Sequence, residues 1–212
     1  MNPNRPHFAP WDERELPRSL SGDEGARRVR VFAQVERRQA ALLEEWAGTV
    51  DEPHLKTILE RHARHCDWHA ELWETAITDG AIGTANGSTA GDDATSAYLD
   101  AVADVKGADQ TVELLAGVYR GLVPRKVTAY TYYQRAIGTE DTDADNRWID
   151  LILKDELDAI RDGELALQSL LAGGDDAVAR AAKRTAELET LMVKAGGLVG
   201  PDSLGMSPAQ AT

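Results

Sequence analysis

The chain has 212 residues, of which 42% are apolar, enough for one domain with a substantial core. Its 23 basic and 36 acidic residues leave a net charge of −13, and a surface of that sign repels phosphate, so neither nucleic acid nor an anionic membrane is expected as a partner. No apolar run reaches the ~18 residues of a membrane span, the opening MNPNRPHFAPWDEREL has no signal-peptide core, and the single Cys66 excludes an intramolecular disulfide and fits a reducing, cytoplasmic compartment.

Residues 1–23 are rich in proline (Pro3, Pro6, Pro10, Pro17) and read as an extended arm, docked through Phe8 and Trp11 if at all. Ser21 and Glu24 have capping-box spacing, and a first long helix is predicted from about Glu24 to Val50. Its inward stripe is Phe32, Glu36, Gln39, Leu43, Trp46 and Val50, so a glutamate stands in an apolar face. Asp51 is placed to cap a second helix, with Pro53 in its first turn, running from about Glu52 to Thr78. Its segment LERHARHCDWHAELW carries His62, His65 and His69 at three- and four-residue steps. They therefore share the face of Leu55, Ile58, Leu59, Cys66, Leu72 and Trp73.

The segment DGAIGTANGSTAGDD, residues 79–93, reads as a flexible loop, followed by a short helix from about Thr95 to Val105. Gly107 should stop it and Asp109 should cap a third long helix from about Gln110 to Ile137, kinked near Pro124. The stripe here is Leu115, Tyr119, Leu122, Lys126, Tyr130, Tyr133 and Ile137, with a lysine inside it. After an acidic turn, a fourth helix from about Asn146 to Leu171 turns Ile149, Ile152, Glu156, Ile160, Gly163 and Leu167 inward. The turn's Asp141, Asp143 and Asp145 resemble a calcium loop only in part, because the glycine and glutamate that such a loop needs are missing. A fifth helix is predicted from about Asp175 to Ala195, and residues 196–212 should be a loose tail.

The connections define the expected architecture. Short turns make the first and second helices, and the third and fourth, into hairpins. The second and third are separated by a link long enough to travel the ~37 Å of a 25-residue helix. The expectation is an all-α, four-helix bundle over 24–195 with one long crossover and a C-terminal helix. Equal distances from the hairpin turns put Glu36 opposite 65–69 and Lys126 opposite Glu156, so Glu36, the histidines, Lys126 and Glu156 should share one central layer.

HCDWHAELW (65–73), KDELDAIRDGE (154–164) and GVYRGLVPRKVTAY (117–130) carry a family likeness. Over about residues 24–171 the chain resembles the ferritin-like superfamily. The likeness is greatest to actinobacterial ferritin-like proteins whose second helix ends in HAWHAELW and whose fourth reads DExxDxxxGE. Catalytic members place a Glu on the first and third helices and an ExxH on the second and fourth, bind two metals, and commonly activate oxygen. Against that pattern, Glu36 and Glu156 match, His62 and His65 take the ExxH spacing, Lys126 replaces the third-helix Glu, and Ala159 stands where His is expected. The resemblance thus implies an incomplete di-metal motif. At most one iron or manganese ion is expected, on Glu36, His62, His65 and Glu156, with Glu36, His65, His69, Lys126 and Glu156 as the acid–base and reactive candidates.

Three functions fit these residues. The first is a metal-dependent oxidoreductase acting on a small organic molecule. The second is a metal-free bundle whose polar core is structural, with Lys126 and Glu156 as a buried salt bridge, or is a small-molecule pocket. The third is a helical binding or assembly protein, with a homodimer as a candidate state. The ordinary role of a buried histidine or tyrosine is hydrogen-bonded packing, and Tyr119, Tyr130, Tyr132, Tyr133 and Cys66 are expected to pack.

Overall fold

A computed structural model describes residues 20, 22–78, 90–137 and 147–200. Among these the chain is all-helical. Helices α1 (Gly22–Ala47), α2 (Pro53–Thr78), α4 (residues 111–136) and α5 (Arg147–Leu171) contribute to a shared core, and α3 (Ala90–Ala103) and α6 (Asp175–Ala195) pack against it. No described helix is long and apolar enough to cross a membrane. The proline-rich arm, Ser21, the loop over 79–89 and the acidic turn with Asp141, Asp143 and Asp145 lie outside the described residues.

Each helix forms where apolar side chains recur at the helical period. In α1 the whole stripe of Phe32, Glu36, Gln39, Leu43 and Trp46 is buried, with Val50 just past the helix end. In α2 the same holds for Leu55, Ile58, Leu59, Cys66 and Trp73. The cap of α2 is Glu52 rather than Asp51: its carboxylate accepts hydrogen bonds from the backbone N–H groups of His54 and Leu55. With Pro53 opening the helix, those are the first free donors, and the longer side chain of Glu52 reaches both.

The expected flexible loop gives way to helix earlier than predicted, since α3 begins at Ala90. Asp109 does not cap α4; it lies in a 3₁₀ turn, Ala108–Gln110, that follows Gly107 at φ 83°. The kink expected near Pro124 takes a specific form. Between the α-helical pieces Thr111–Leu115 and Val123–Ala136, residues Ala116–Leu122 form a π-helix, and the Val123 N–H reaches back five residues to Val118 O. Proline disturbs the turn before it, and the wider π turn absorbs that disturbance. Ile137, at the end of the predicted stripe, is exposed because the helix stops at Ala136.

Three layers of contacts join these helices, the first taking in α2, α4 and α5 and the other two all four. In the first, His62 of α2 meets Tyr119 of α4, whose ring lies directly against the Cα of Gly163 of α5. Any side chain at 163 would overlap that ring, so glycine is required there for close approach. In the second, Glu36, His69, Lys126 and Glu156 meet. The third is aromatic: Phe32 of α1, Trp73 of α2, Tyr130 and Tyr133 of α4 and Trp148 of α5 pack with ring centroids 4.6–5.7 Å apart. Helices α2 and α4 pass these layers in one sequence order, and α1 and α5 in the reverse order.

On the outside, α6 lays Leu188 over Gly117 and Gly121 of the π segment. It ends at Gly196, which takes the left-handed conformation at φ 75°. The tail expected to be loose from 196 onward is packed at its start. Leu198 and Val199 are buried, and their carbonyls accept hydrogen bonds from Thr95 Oγ1 at 2.8 Å and Arg27 at 2.9 Å. Two apolar side chains in succession gain more by burial than the short segment loses in freedom.

Trp46 and Leu59, at 3% and 0% exposure, are core residues. Leu59→Ala should therefore cost about 2–5 kcal/mol, read as a lowered denaturation midpoint; an unchanged midpoint would mean that the α2 stripe does not carry the core.

Candidate functional site

The second layer is a closed set of ionic contacts. Lys126 extends from α4 into the bundle and is fully buried. Its ammonium donates to Glu36 Oε2 at 2.7 Å and to Gln39 Oε1 at 2.8 Å, and pairs with Glu156 Oε1 at 2.7 Å. Three N–H bonds thus face three oxygens from α1 and α5, with Cys66 Sγ 3.9 Å away. His69 closes the fourth side: its Nδ1 lies 3.1 Å from Glu156 Oε1 and 3.7 Å from Glu36 Oε1. Its Nε2 lies 3.3 Å from Asp155 Oδ2 at the edge of the bundle. Tyr130 donates its hydroxyl to Glu36 Oε1 at 2.7 Å.

Lys126 and a doubly protonated His69 bring two positive charges against Glu36 and Glu156, with the Asp155 carboxylate on the outer side of His69. Burial alone would raise the Glu36 carboxyl, but the Lys126 ammonium and the His69 ring outweigh it and hold Glu36 down at about 2. Burial alone would discharge His69, but its hydrogen bonds to Glu156 and Glu36 outweigh that and lift it to about 9. Lys126 follows the same logic, with burial opposing its charge and the facing Cys66, Glu156 and Glu36 raising its pKa. The aromatic layer on one side and the Tyr119–His62 layer on the other keep water out, which strengthens each of these attractions.

The structure divides the predicted site residues. Glu36, His69, Lys126 and Glu156 come together as one cluster. His62 does not join it: it stands seven residues before His69, about 10 Å along the helix, and its Nδ1 is 2.7 Å from the Tyr119 hydroxyl. Burial pushes His62 down to about 4 and pushes the Tyr119 phenol up, so a neutral His62 accepts a hydrogen bond from the Tyr119 hydroxyl. His65 is half-buried on the flank towards Asp155, its ring 6.3 Å from that of His69, and burial lowers its pKa. Of the three predicted histidines, His69 is the one whose ring reaches Glu36 and Glu156, because heights along the helix differ by a turn or two; His62 and His65 stand outside that group.

Two members were not singled out in the sequence. Gln39 lies in the α1 stripe three residues after Glu36, and that spacing was its signal. Tyr130 was read as packing, and nothing local marks its hydroxyl as the partner of Glu36. Asp155 reaches His69 from the flank of α5.

Catalytic members of the superfamily that the sequence resembles bind two metal ions, and these residues do not fit a pair. Lys126 Nζ already lies between Glu36 and Glu156, the carboxylates that such ions would need, and the buried Ala159 offers no donor. Glu36, His69 and Glu156 could each offer a ligand atom to a single ion, the three atoms lying within 4.8 Å of one another. Glu156 Oε2 is buried and has no hydrogen-bond partner. An ion there would have to displace a saturated ammonium and a proton on His69. A shallow hollow lined by Asp100, Ala101, Ala103 and Asp104 includes none of the cluster residues. Compared with known proteins, the chain matches no family model, no curated protein and no solved structure.

Lys126→Met should leave Glu36 and Glu156 buried without their cation and cost roughly 3–5 kcal/mol. Converting Lys126, Glu36 and Glu156 together to apolar residues should recover most of that loss in a denaturation experiment. A single variant as stable as the wild type would show that the cluster is not ionised.

The pH dependence has a defined sign. Glu36 is depressed from 4.5 to about 2, so its stabilisation is complete above pH 4.5 and is lost as pH falls through about 2. His69 is raised from 6.5 to about 9, so its stabilisation is complete below pH 6.5 and is lost as pH rises through about 9. The stability advantage of wild type over His69→Gln should thus shrink between pH 6.5 and about 9, as measured by urea midpoints. A constant difference across that range would place the His69 titration elsewhere.

Proposed function

We propose that this chain is a metal-independent, ferritin-like bundle that acts by binding or assembly at its surface, with a second copy of the chain as the first partner to test. The observation that carries this reading is the Lys126 ammonium, seated between Glu36, Gln39 and Glu156 at 2.7–2.8 Å. An oxygen-activating centre needs carboxylates free to bind metal and open coordination positions. Here both glutamates are engaged by internal cations. The sequence order in which the helices cross the three layers supports the ferritin-like arrangement, two hairpins joined by one long crossover. The outer face of α5 supports a surface role. Leu151, Leu157 and Leu165 are 51%, 56% and 65% exposed, spaced along the side away from Ile152, Glu156 and Gly163 and interspersed with the ion-paired Lys154, Asp158 and Arg161.

A second reading is an oxidoreductase acting on a small organic molecule with one iron or manganese ion. The grouping of Glu36, His69 and Glu156 and the unpaired Glu156 Oε2 favour it.

Elemental analysis and light scattering on protein purified without an affinity tag separate the two. The first reading expects far less than one metal ion per chain, and a dimer that dissociates when Leu157 and Leu165 are replaced by lysine. Stoichiometric iron or manganese that disappears in Glu36→Ala would establish the second. A monomer at all concentrations would remove the assembly role.

A further inference from the structure

We infer that Lys126 is a built-in cation that holds the place of a metal ion: its side chain keeps divalent metals off Glu36, His69 and Glu156, and removing it converts the layer into a site for one divalent transition-metal ion. The inference rests on the metal-independent reading above and goes beyond it, because it assigns the exclusion to one side chain and states what the remaining donors would bind.

The argument starts from the point now filled by Lys126 Nζ. Three oxygens surround it, Glu36 Oε2, Glu156 Oε1 and Gln39 Oε1, at 2.7, 2.7 and 2.8 Å. They come from two helices on different sides of the bundle, so the arrangement is a cage and not a chance run of acids along one surface. A nitrogen, His69 Nδ1, stands 3.1 Å from one of those oxygens. Metal–oxygen and metal–nitrogen bonds are about 2.0–2.2 Å long, so the cage would have to close by roughly 0.6 Å per ligand, within the reach of side-chain torsions. Two carboxylates, an amide oxygen and an imidazole form a mixed hard and borderline donor set suited to divalent manganese, iron, cobalt or zinc.

The obstacle in the wild type is threefold. The lysine stem fills the approach from α4. Its charge repels a second cation at van der Waals distance. Its three N–H bonds occupy the oxygens that a metal would need. Loss of the ammonium leaves two buried carboxylates facing a single imidazolium; a divalent ion that binds His69 Nδ1 releases that ring proton to solvent and balances the two carboxylates. The unpartnered Glu156 Oε2 is the second independent sign of a ligand-ready layer, being a buried acceptor with nothing bound to it.

The test uses cobalt(II) added to the full chain, read by its ligand-field absorption and by equilibrium dialysis with elemental analysis. Wild type should show no stoichiometric uptake. Lys126→Ala should bind one equivalent, roughly a hundredfold or more tighter than wild type, as removal of one adjacent buried charge predicts. Adding cobalt should raise its melting temperature, and a second substitution, His69→Ala, should abolish the uptake. Lys126→Gln, which keeps volume and a neutral polar end, carries the same test if the alanine variant does not fold without metal. A folded Lys126 variant that takes up no cobalt would overturn this inference and leave the metal-independent function standing. Wild type that binds cobalt on Glu36 and His69 as tightly as the variant would overturn both.

Discussion

Everything at the centre of this bundle depends on one ammonium group out of reach of water. Placing Lys126 between α1 and α5 sets a requirement that only opposite charge and oxygen acceptors can meet. Glu36, Gln39 and Glu156 meet it together. Each carboxylate has a further donor, Tyr130 for Glu36 and His69 for Glu156. The cluster is strong as a whole and fragile in its parts, since removing any one ion leaves its partners buried and uncompensated. Its contribution is to register. The four helices can satisfy these contacts at one mutual height only, which makes the layer a lock on the relative positions of α1, α2, α4 and α5.

The neighbouring layers make that lock possible. Phe32, Trp73, Tyr130, Tyr133 and Trp148 form an aromatic floor. The Tyr119 ring pressed on Gly163, with His62 on its hydroxyl, closes the other side. Between them the effective dielectric is low, and the ion pairs act at close to full strength. The π-helical stretch before Pro124 belongs to the same scheme. It carries Tyr119 one turn and more above Lys126, and its glycines let Leu188 of α6 settle against it. The crossover helix α3 and the start of the tail then bind to each other through Thr95 and Leu198, covering the outside of the core.

The charge pattern also bears on function. A ferritin-like metal centre is built from an excess of carboxylates neutralised by ions from solution. Here the charges that face the carboxylates, on Lys126 and His69, are covalently part of the chain. In the proposed reading, what the protein does then depends on what its surface meets, and the exposed leucines of α5 are the side chains offered for that contact.

The sequence by itself determined the helices and their inward faces. Hydrophobic side chains at the 3.6-residue period identified every long helix to within a few residues, and Glu36, Lys126 and Glu156 stood out because charge inside an apolar stripe is costly unless it is paired. Counting back from the hairpin turns was enough to bring those three together, since a rigid helix converts sequence distance into height. Which histidine joins them was decided only by the tertiary structure. His62, His65 and His69 have similar angular positions, and periodicity has no power to choose among heights differing by a turn or two. The helix packing chose, placing His69 between Glu36 and Glu156, leaving His65 on the flank, and giving His62 to Tyr119. The same holds for Glu52 over Asp51 as cap, for the π turn in place of a simple kink, and for Tyr130 as a ligand of Glu36. Each depends on where an atom at the end of a side chain or a backbone N–H comes to rest against another helix or turn, and sequence pattern carries no such length.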